Sequence, residues 1–199
     1  MKLKVLGVGS SMREKSYGTK TLKIVLERME KLETETHLLD LRKVKMPTFD
    51  PNSFMHSGKR LREITEEVNW ADVFILTTPD YHGSMSGPMN NFLDHYWQEF
   101  AGKTFGYICA SHEKGLTVMD QMRTAVRQCY GWSLPYGISV NAEEDFNEAG
   151  EIGSSLLTKR LRMLARDLIV YGKLIRKQFL QNLSSKESDT FAARYRLRT

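Results

Sequence analysis

Hydroxyl side chains and one arginine follow the first apolar run of the sequence, in a segment that opens onto a helix. Ser11 comes first, Arg13 two residues later, and Ser16 stands at the expected helix start. Backbone N–H groups and the positive end of the helix dipole favour a phosphate at such a place. The serine hydroxyls add neutral donors and the arginine a charge-assisted one. The segment predicts a phosphate site, with the alternative that Ser16 only caps the helix and Arg13 is a surface residue.

The same segment does not match the glycine-rich loops that bind dinucleotides or nucleoside triphosphates. Gly7 and Gly9 begin a GxGxxG pattern, but Met12 occupies the position of the third glycine. An acidic residue should follow about 20 residues on, whereas Asp40 lies 31 positions after Gly9. The GxxxxGKS/T pattern of triphosphate-binding loops is also missing from this segment.

A second segment, rich in proline, glycine and serine, follows the third predicted strand. In it Tyr81 could lie against a flat ring. The successive backbone N–H groups of His82, Gly83 and Ser84 could donate to an anionic or carbonyl edge. The alternative is an ordinary connection between a strand and a helix, in which Tyr81 packs against its own protein. Two such segments at one edge of a sheet favour a shared binding site.

Apolar patterning alternates between strand-like and helix-like segments along the chain. Strands are predicted over residues 2–8, 36–41, 71–78, 104–110 and 136–141. Helices are predicted over residues 16–32, around 61–68, and over 88–100, 116–130 and 154–182. The segment 71–78 has a continuous apolar centre, residues 73–76, as expected of a strand buried on both faces of a parallel sheet.

Five strands that alternate with five helices predict a three-layer α/β sandwich with helices on both faces of a parallel sheet. A Rossmann and a flavodoxin-like arrangement compete for this pattern, and the missing dinucleotide fingerprint argues against the first. We therefore predict a flavodoxin-like fold with a five-stranded sheet. Ligands of such folds bind outside the carboxyl ends of the strands, where the strand order reverses. The functional residues should lie in the loops after strands one, three and four.

The two polar segments together resemble the NADPH-dependent FMN reductase family, flavodoxin-like quinone, azo-dye and chromate reductases that include the arsenical-resistance flavoproteins. Its motif GSxRxxS is matched from Ser10 to Ser16, with Ser10 in place of the glycine. A second motif, close to PxYxGSxPGxLKNxxD, is matched from Pro79 to Asp94. The departures there are Ser86 for a proline, Pro88 for the residue after the glycine, and Asn90 for the lysine. The resemblance covers roughly residues 3–140.

The resemblance implies FMN as the cofactor and NADPH or NADH as the co-substrate. Ser11, Arg13 and Ser16 would hold the FMN phosphate, and residues 79–84 would line the isoalloxazine ring. Residues 110–115 would face its pyrimidine side, although only Gly115 remains of the glycine pair that the family usually has there. The cofactor-binding residues expected on this basis are Ser11, Arg13, Ser16, Tyr17, Gly18, Pro79, Asp80, Tyr81, His82, Gly83, Ser84, Ser111 and His112.

The implied activity is that of an FMN-dependent NAD(P)H oxidoreductase with a two-step cycle. NAD(P)H would reduce the bound FMN and leave. A small-molecule acceptor such as a quinone, a free flavin, an azo compound or a metal ion would then take the electrons. The flavin carries the hydride chemistry, so no side chain is assigned as an acid, a base or a metal ligand; His82 and His112 are the best-placed candidates for contacting substrate. The alternatives are a flavodoxin-type electron carrier and a non-catalytic flavin- or nucleotide-binding module.

The composition is that of an ordinary globular protein. The 199 residues suit one domain, with 41% hydrophobic and 27% charged residues. The longest apolar runs have four or five residues, against about 20 for a membrane span, and the N-terminus resembles a strand more than a secretory signal. Cys109 and Cys129 have no CxxC spacing, which argues against a disulfide framework and a zinc site. We expect a cytoplasmic protein in which Cys109, in a buried strand, is inert.

Positive charge is concentrated towards the C-terminus. The net charge is +5, and residues 159–199 hold eleven Lys/Arg against three Asp/Glu. A solvated helix face explains this better than nucleic acid or a membrane does, because no aromatic platform or known nucleic-acid motif accompanies it. We expect a flavodoxin-like domain over residues 1–182 and a charged tail over residues 183–199 that only a partner would order.

The resemblance also implies a homodimer or homotetramer with the flavin near a subunit boundary. A Met- and aromatic-rich stretch could supply part of that surface: Met89, Phe92, Tyr96, Trp97 and Phe100. The alternative is that half or more of this stretch faces the core. His37, His56 and His95 are expected to be structural or solvated.

Overall fold

A parallel β-sheet forms the centre of the protein, whose computed structural model describes residues 2–52 and 58–198. Its strands are β1 (Leu3–Gly9), β2 (Thr34–Asp40), β3 (Val73–Pro79), β4 (Thr104–Ala110), β5 (Trp132–Ser133) and β6 (Ile138–Val140). They lie in the order β2-β1-β3-β4, and both β5 and β6 pair with β4. This is the 2-1-3-4-5 order of flavodoxin-like folds, in which the order reverses between β1 and β3. The predicted flavodoxin-like fold is confirmed.

Helices cover both faces of the sheet. They are α1 (Tyr17–Glu30), α2 (Lys59–Trp70), α3 (Gly87–Asp94), α4 (Leu116–Gln128), α5 (Ala142–Asp145) and α6 (Ser155–Ser184). α1 and α6 pack on one face through side chains such as Leu22 and Leu164. α2, α3 and α4 pack on the other through side chains such as Val68, Phe92 and Val126. None of the helices in the described part of the chain has the apolar length that a membrane crossing requires.

The fifth strand position is divided between β5 and β6, where the sequence predicts one strand over residues 136–141. Pro135 stands between the two pieces, and a proline has no N–H to donate to the ladder. At Gly137, which follows, a Cβ would come within 2.3 Å of the Met119 sulfur. β5 has only two residues, too few to show an alternating pattern, so the sequence does not predict it.

The helix predicted over residues 88–100 ends early, at Asp94, and a separate 3-10 helix spans Gln98–Phe100. The N–H of Trp97 donates to the Glu99 carboxylate at 3.0 Å instead of to a helix carbonyl. Of the five apolar residues considered for a subunit surface, only Trp97 is exposed; the buried ones are Met89, Phe92, Tyr96 and Phe100. These four residues therefore face the core and do not form a subunit surface.

The histidines outside the predicted site pack against neighbouring groups where the structure describes them. His37 stacks on Trp70 with ring centroids 4.0 Å apart. His95 Nε2 lies 3.0 Å from the carbonyl oxygen of Pro47. Both are structural, in line with the expectation, and His56 lies outside the described residues.

The segment after Asn182 packs on the rest of the protein, whereas we expected only a partner to order it. A 3-10 helix spans Phe191–Arg198, Ala192 is buried, and the Phe191 ring lies 5.0 Å from that of Tyr130. The few apolar side chains among the charges of this segment supply the contacts. The domain boundary at residue 182 stays a prediction.

A buried ion pair fastens α6 to the end of the sheet opposite the carboxyl ends of the strands. Arg176 Nε donates to Asp72 Oδ1 at 2.9 Å, and the N–H of Lys4 donates to Asp72 Oδ2 at 3.2 Å. The Asp72 side chain is only 7% exposed. A carboxylate that loses one partner at such a depth keeps its charge without compensation, which costs about 3–5 kcal/mol.

Arg176→Ala is expected to lower the free energy of unfolding by about 3 kcal/mol, because Asp72 would stay buried without its hydrogen-bonded cation. Urea unfolding followed by circular dichroism measures the change. Lys177→Ala is the matched control: it removes an exposed charge one residue away and should change the free energy by less than about 0.5 kcal/mol. Equal unfolding midpoints for Arg176→Ala and Lys177→Ala would contradict this role of the ion pair.

Candidate functional site

A cleft of about 550 Å³ opens at the carboxyl ends of the strands, lined by the loops after β1, β3 and β4. These loops converge because the three strands are neighbours and end at one edge of the sheet. Most of the residues predicted from the sequence line this main cleft: Ser11, Arg13, Ser16, Tyr17, Pro79, Asp80, Tyr81, His82, Gly83, Ser111 and His112.

Two predicted residues, Gly18 and Ser84, are not among the residues that line the main cleft. Gly18 is buried in the first turn of α1, where a Cβ would come within 3.2 Å of Thr77 Cγ2 and 3.4 Å of Ala110 Cβ. A glycine therefore lets the helix start close to the sheet. The Ser84 hydroxyl donates to Gln121 Oε1 at 3.2 Å. Gly18 can contribute only its backbone N–H to the site, and Ser84 contributes through its bond to Gln121.

The end of the main cleft next to α1 has the donors of an anion site. The Ser16 hydroxyl oxygen caps α1 by accepting an N–H of its first turn at 3.2 Å. The N–H groups of Tyr17 and Gly18 have no helix carbonyl to donate to. The Ser11 hydroxyl oxygen accepts the N–H of Arg13 at 3.3 Å, and the Arg13 side chain is exposed. Hydroxyls, open amides and a guanidinium in this arrangement fit a phosphate monoester.

The loop after β3 contains a two-residue turn. Tyr81 and Ser84 exchange backbone hydrogen bonds of 3.0 and 3.1 Å, and His82 and Gly83 between them have φ angles of 58° and 77°. Positive φ at both central residues is typical of a type I′ turn, which glycine adopts freely and histidine only at a cost. The turn presents the exposed side chains of Tyr81 and His82 at the main cleft.

Asp80 stabilises this turn and joins it to the loop after β4. Its Oδ1 accepts the N–H of Gly83 at 2.8 Å, and its Oδ2 accepts the Ser111 hydroxyl at 2.9 Å. The N–H of Ser84 is also used, across the turn. Of the three amides predicted to meet an anionic or carbonyl edge, only that of His82 is without a hydrogen bond to the described residues. The prediction for the Gly83 and Ser84 amides is wrong, because groups of the loop itself accept them.

Gln121 of α4 fixes the same turn, and no pattern in the sequence predicts it. Its Oε1 accepts the N–H of Met85 at 3.1 Å and the hydroxyl of Ser84 at 3.2 Å. Its Nε2 donates to the carbonyl oxygen of Gly83 at 3.3 Å. A glutamine 36 residues beyond Met85 belongs to no local motif, so only the packing of α4 beside the turn reveals it.

The two serines that depart from glycine and proline in the sequence motifs contact each other. The Ser86 hydroxyl donates to Ser10 Oγ at 2.8 Å, and the Ser10 hydroxyl donates to the carbonyl oxygen of Thr77 at 3.1 Å. The N–H of Ser86 donates to Thr78 Oγ1 at 3.0 Å. Both serines are buried. Ser10 and Ser86, the two residues that depart from the motifs, therefore form one buried contact between the loops after β1 and β3.

The site offers neither a reactive thiol nor a metal cluster in the described ranges. Cys109 is buried beneath Gly115, where a Cβ would come within 2.4 Å of its sulfur. Burial, and to a lesser degree the charge of Asp80, raises the pKa of this thiol to about 12. Such a thiol carries almost no thiolate at neutral pH. Residues 2–52 and 58–198 contain no group of three or more His, Cys, Asp or Glu side chains that could hold a metal ion.

The strand order and the position of the main cleft define a flavodoxin-like protein, with hydrogen-bond donors suited to an anion in its first loop. Over residues 3–145 the sequence matches the model of the NADPH-dependent FMN reductase family. The matched region contains all three loops that line the main cleft. The chain belongs to this family, and it is an FMN-dependent NAD(P)H oxidoreductase.

Individual relatives are distant but similar over most of their length. An NADPH azoreductase of Bacillus sp. (strain OY1-2) is 24% identical over 148 residues, 72% of this chain and 83% of the relative. An FMN-dependent NADPH-azoreductase of Staphylococcus aureus is 25% identical over 181 residues, 85% of this chain and 95% of the relative. The solved structure of the flavoenzyme NAD(P)H:(acceptor) oxidoreductase FerB from Paracoccus denitrificans has the same fold, with a TM-score of 0.71 at 18% identity over 87% of this chain and 98% of that one.

Gln121→Ala is expected to weaken FMN binding about fivefold to tenfold, since a turn that loses the hydrogen bonds of this side chain has to be ordered by the ligand. Titration of the protein with FMN, followed by flavin fluorescence, measures the dissociation constant. Gln128→Ala, at an exposed glutamine near the other end of α4, is the matched control and should bind as the unchanged protein does. The same affinity for both variants would show that the turn does not contribute to the site.

Proposed function

We propose that FMN lies in the main cleft with its phosphate among Ser11, Arg13 and Ser16. Its ring would lie along residues 79–83 and the loop that carries Ser111 and His112. The observation that carries this proposal is that the donors beside α1 and a wall with an exposed aromatic ring lie in one continuous cleft of about 550 Å³. The two motifs are far apart in the sequence but lie side by side in the fold, because β1 and β3 are adjacent strands.

FMN at this place would accept a hydride from NAD(P)H and pass the electrons to an acceptor, which is chemistry that the flavin supplies. The protein's part is to orient the ring and to stabilise charge. The N–H of His82 is the donor available for the polar edge of the ring, where negative charge develops on reduction. The side chains of His82 and His112 line the main cleft, and we propose them as contacts for the substrate.

We propose flat organic molecules, namely quinones, azo compounds and free flavins, as electron acceptors, with a ferric ion as a further candidate. Tyr81 is 38% exposed at the main cleft, and its ring offers a surface on which a planar acceptor can stack. The names of the relatives, two of which are azoreductases, support azo compounds in particular.

We also propose a cytoplasmic homodimer or homotetramer. Cys109 and Cys129 are both free cysteines, which is usual in a reducing compartment. Trp97 and Trp132 are 53% and 56% exposed, and aromatic side chains of this kind are enriched at protein interfaces. No feature of the described residues favours a nucleic-acid or membrane partner over these.

Arg13→Ala is expected to weaken FMN binding about tenfold or more, because a hydrogen bond to a charged group contributes about 1.5–3 kcal/mol. The unchanged protein, loaded with FMN, should oxidise NADPH steadily when a quinone is supplied. Absorbance of NADPH measures turnover, and fluorescence titration measures the affinity for FMN. Arg62→Ala, at an exposed arginine of α2, is the control and should change neither quantity.

Two results would contradict the proposal in different ways. An Arg13→Ala variant that retains FMN as tightly as the Arg62→Ala control would show that the phosphate lies elsewhere. A protein that binds FMN but does not oxidise NADPH with a quinone, an azo dye or a ferric salt would be an electron carrier or a binding module instead of a reductase.

A further inference from the structure

The turn after β3 holds the one non-glycine residue with a left-handed backbone among those that line the main cleft. Four residues other than glycine have a positive φ in the part of the chain that the structure describes: Glu33, His82, Lys114 and Tyr130. Of these, His82, with a φ of 58°, is the one on the lining. The first central position of a type I′ turn is most often asparagine, aspartate or glycine. The shape of the turn therefore does not require a histidine, and residues held in such conformations cluster at functional sites.

Hydrogen bonds from outside the two central residues hold His82 in this conformation without using its imidazole. Asp80 Oδ1 accepts the N–H of Gly83 at 2.8 Å, and Gln121 Nε2 donates to the carbonyl oxygen of Gly83 at 3.3 Å. Gln121 Oε1 accepts the N–H of Met85 at 3.1 Å. Because these bonds come from the start of the loop and from α4, the position of His82 at the main cleft is set before a ligand binds.

The imidazole of His82 is exposed and has no hydrogen bond or ion pair with the described residues. The histidines away from the main cleft differ, because His37 pairs with Glu67 and His95 lies against the carbonyl oxygen of Pro47. Both ring nitrogens of His82 are therefore open to water and to a ligand. A side chain that takes up and releases protons during a reaction needs this access.

Histidine is also the side-chain type best suited to proton transfer among those around His82. Asp80 and Tyr81 precede it, and the titratable or charged side chains from the rest of the lining are Arg13, Lys15, Tyr17, His112 and Glu113. As side-chain types, carboxylates have no proton to give at neutral pH, and arginine, lysine and tyrosine release theirs only in alkaline solution. Imidazole changes its charge between about pH 5 and 8. Of the two histidines, His82 directly follows Tyr81, the ring on which we propose that the acceptor stacks.

We propose that His82 gives the proton that an azo or quinone acceptor needs when it is reduced, as a catalytic residue of the second half of the cycle. The inference rests on the proposed function, since the bound flavin supplies the hydride. One nitrogen of the N=N bond takes the hydride, the π electron pair of that bond moves to the other nitrogen, and this nitrogen takes a proton from the His82 imidazolium. The acceptor is reduced by two electrons, the flavin is oxidised by two, and the imidazole regains its proton from water. A quinone takes its hydride and its proton on the two carbonyl oxygens in the same way.

An acceptor that needs no proton provides the test. Ferricyanide takes one electron at a time and forms no bond to hydrogen, whereas an azo dye takes a hydride and a proton. His82→Asn keeps a residue suited to the turn and is expected to lower kcat/KM for the azo dye about a hundredfold, with kcat/KM for ferricyanide unchanged. The rate at which NADPH reduces the flavin, measured by stopped-flow absorbance, and the dissociation constant of FMN should also stay unchanged.

Two further variants separate proton transfer from the shape of the turn. His82→Gly adopts a positive φ freely and should be as slow with the azo dye as His82→Asn, and imidazole added to the solution should restore part of its rate. His112→Asn, at the other exposed histidine of the main cleft, is the matched control and should react with both acceptors as the unchanged protein does. The rate of the unchanged protein with the azo dye should fall as the pH rises above about 7, because the imidazolium is lost, and His82→Asn should lack this fall.

Equal losses with the azo dye and with ferricyanide in His82→Asn would overturn the inference, because they would show that the residue only shapes the site. A loss confined to the azo dye in His112→Asn, with His82→Asn unaffected, would assign the proton to His112. Full azo-dye activity in both variants would mean that water supplies it. Failure of the proposed function looks different, since the unchanged protein would then bind no FMN or reduce neither acceptor, and the inference would fall with it.

Discussion

The hydrogen bond between the Ser86 and Ser10 hydroxyls is the contact on which the geometry of the site depends. It joins the loops after β1 and β3 where the strand order reverses, and Ser10 is held in turn by the carbonyl of Thr77 at 3.1 Å. Both serines are buried, and a buried hydroxyl left without a partner costs about 1–3 kcal/mol. The spacing between the loop before α1 and the turn that carries Tyr81 is therefore set by the folded protein before a ligand binds.

Neighbouring side chains keep the turn after β3 in a conformation that its own sequence does not favour. His82 has a φ of 58°, and a non-glycine residue in that region costs about 1–3 kcal/mol when the surroundings enforce it. Asp80 from one side and Gln121 from the other supply hydrogen bonds that offset this cost. The same bonds use the amide of Gly83, whereas that of His82 has no hydrogen bond to the described residues.

Local patterns predicted those parts of the protein that local chemistry determines. The apolar residues 73–76 predicted β3 because a strand buried on both faces is apolar at consecutive positions. Ser11, Arg13 and Ser16 lie close together in the sequence, and their role as a phosphate site stays a prediction. Contacts between distant segments could not be predicted in this way. Gln121 reaches the turn only once α4 is packed beside it. The packed tail was missed because its apolar residues are few.

The central claim is that the loops after β1 and β3 together bind a flavin through its phosphate. Titration of the flavin-free protein with FMN and, separately, with riboflavin tests this most directly, because the two ligands share the ring and differ only in the phosphate. The account predicts that FMN binds at one site per chain and that riboflavin binds at least about a hundredfold more weakly, as loss of several charge-assisted hydrogen bonds requires. Equal affinities for the two, or no binding of FMN, would contradict it.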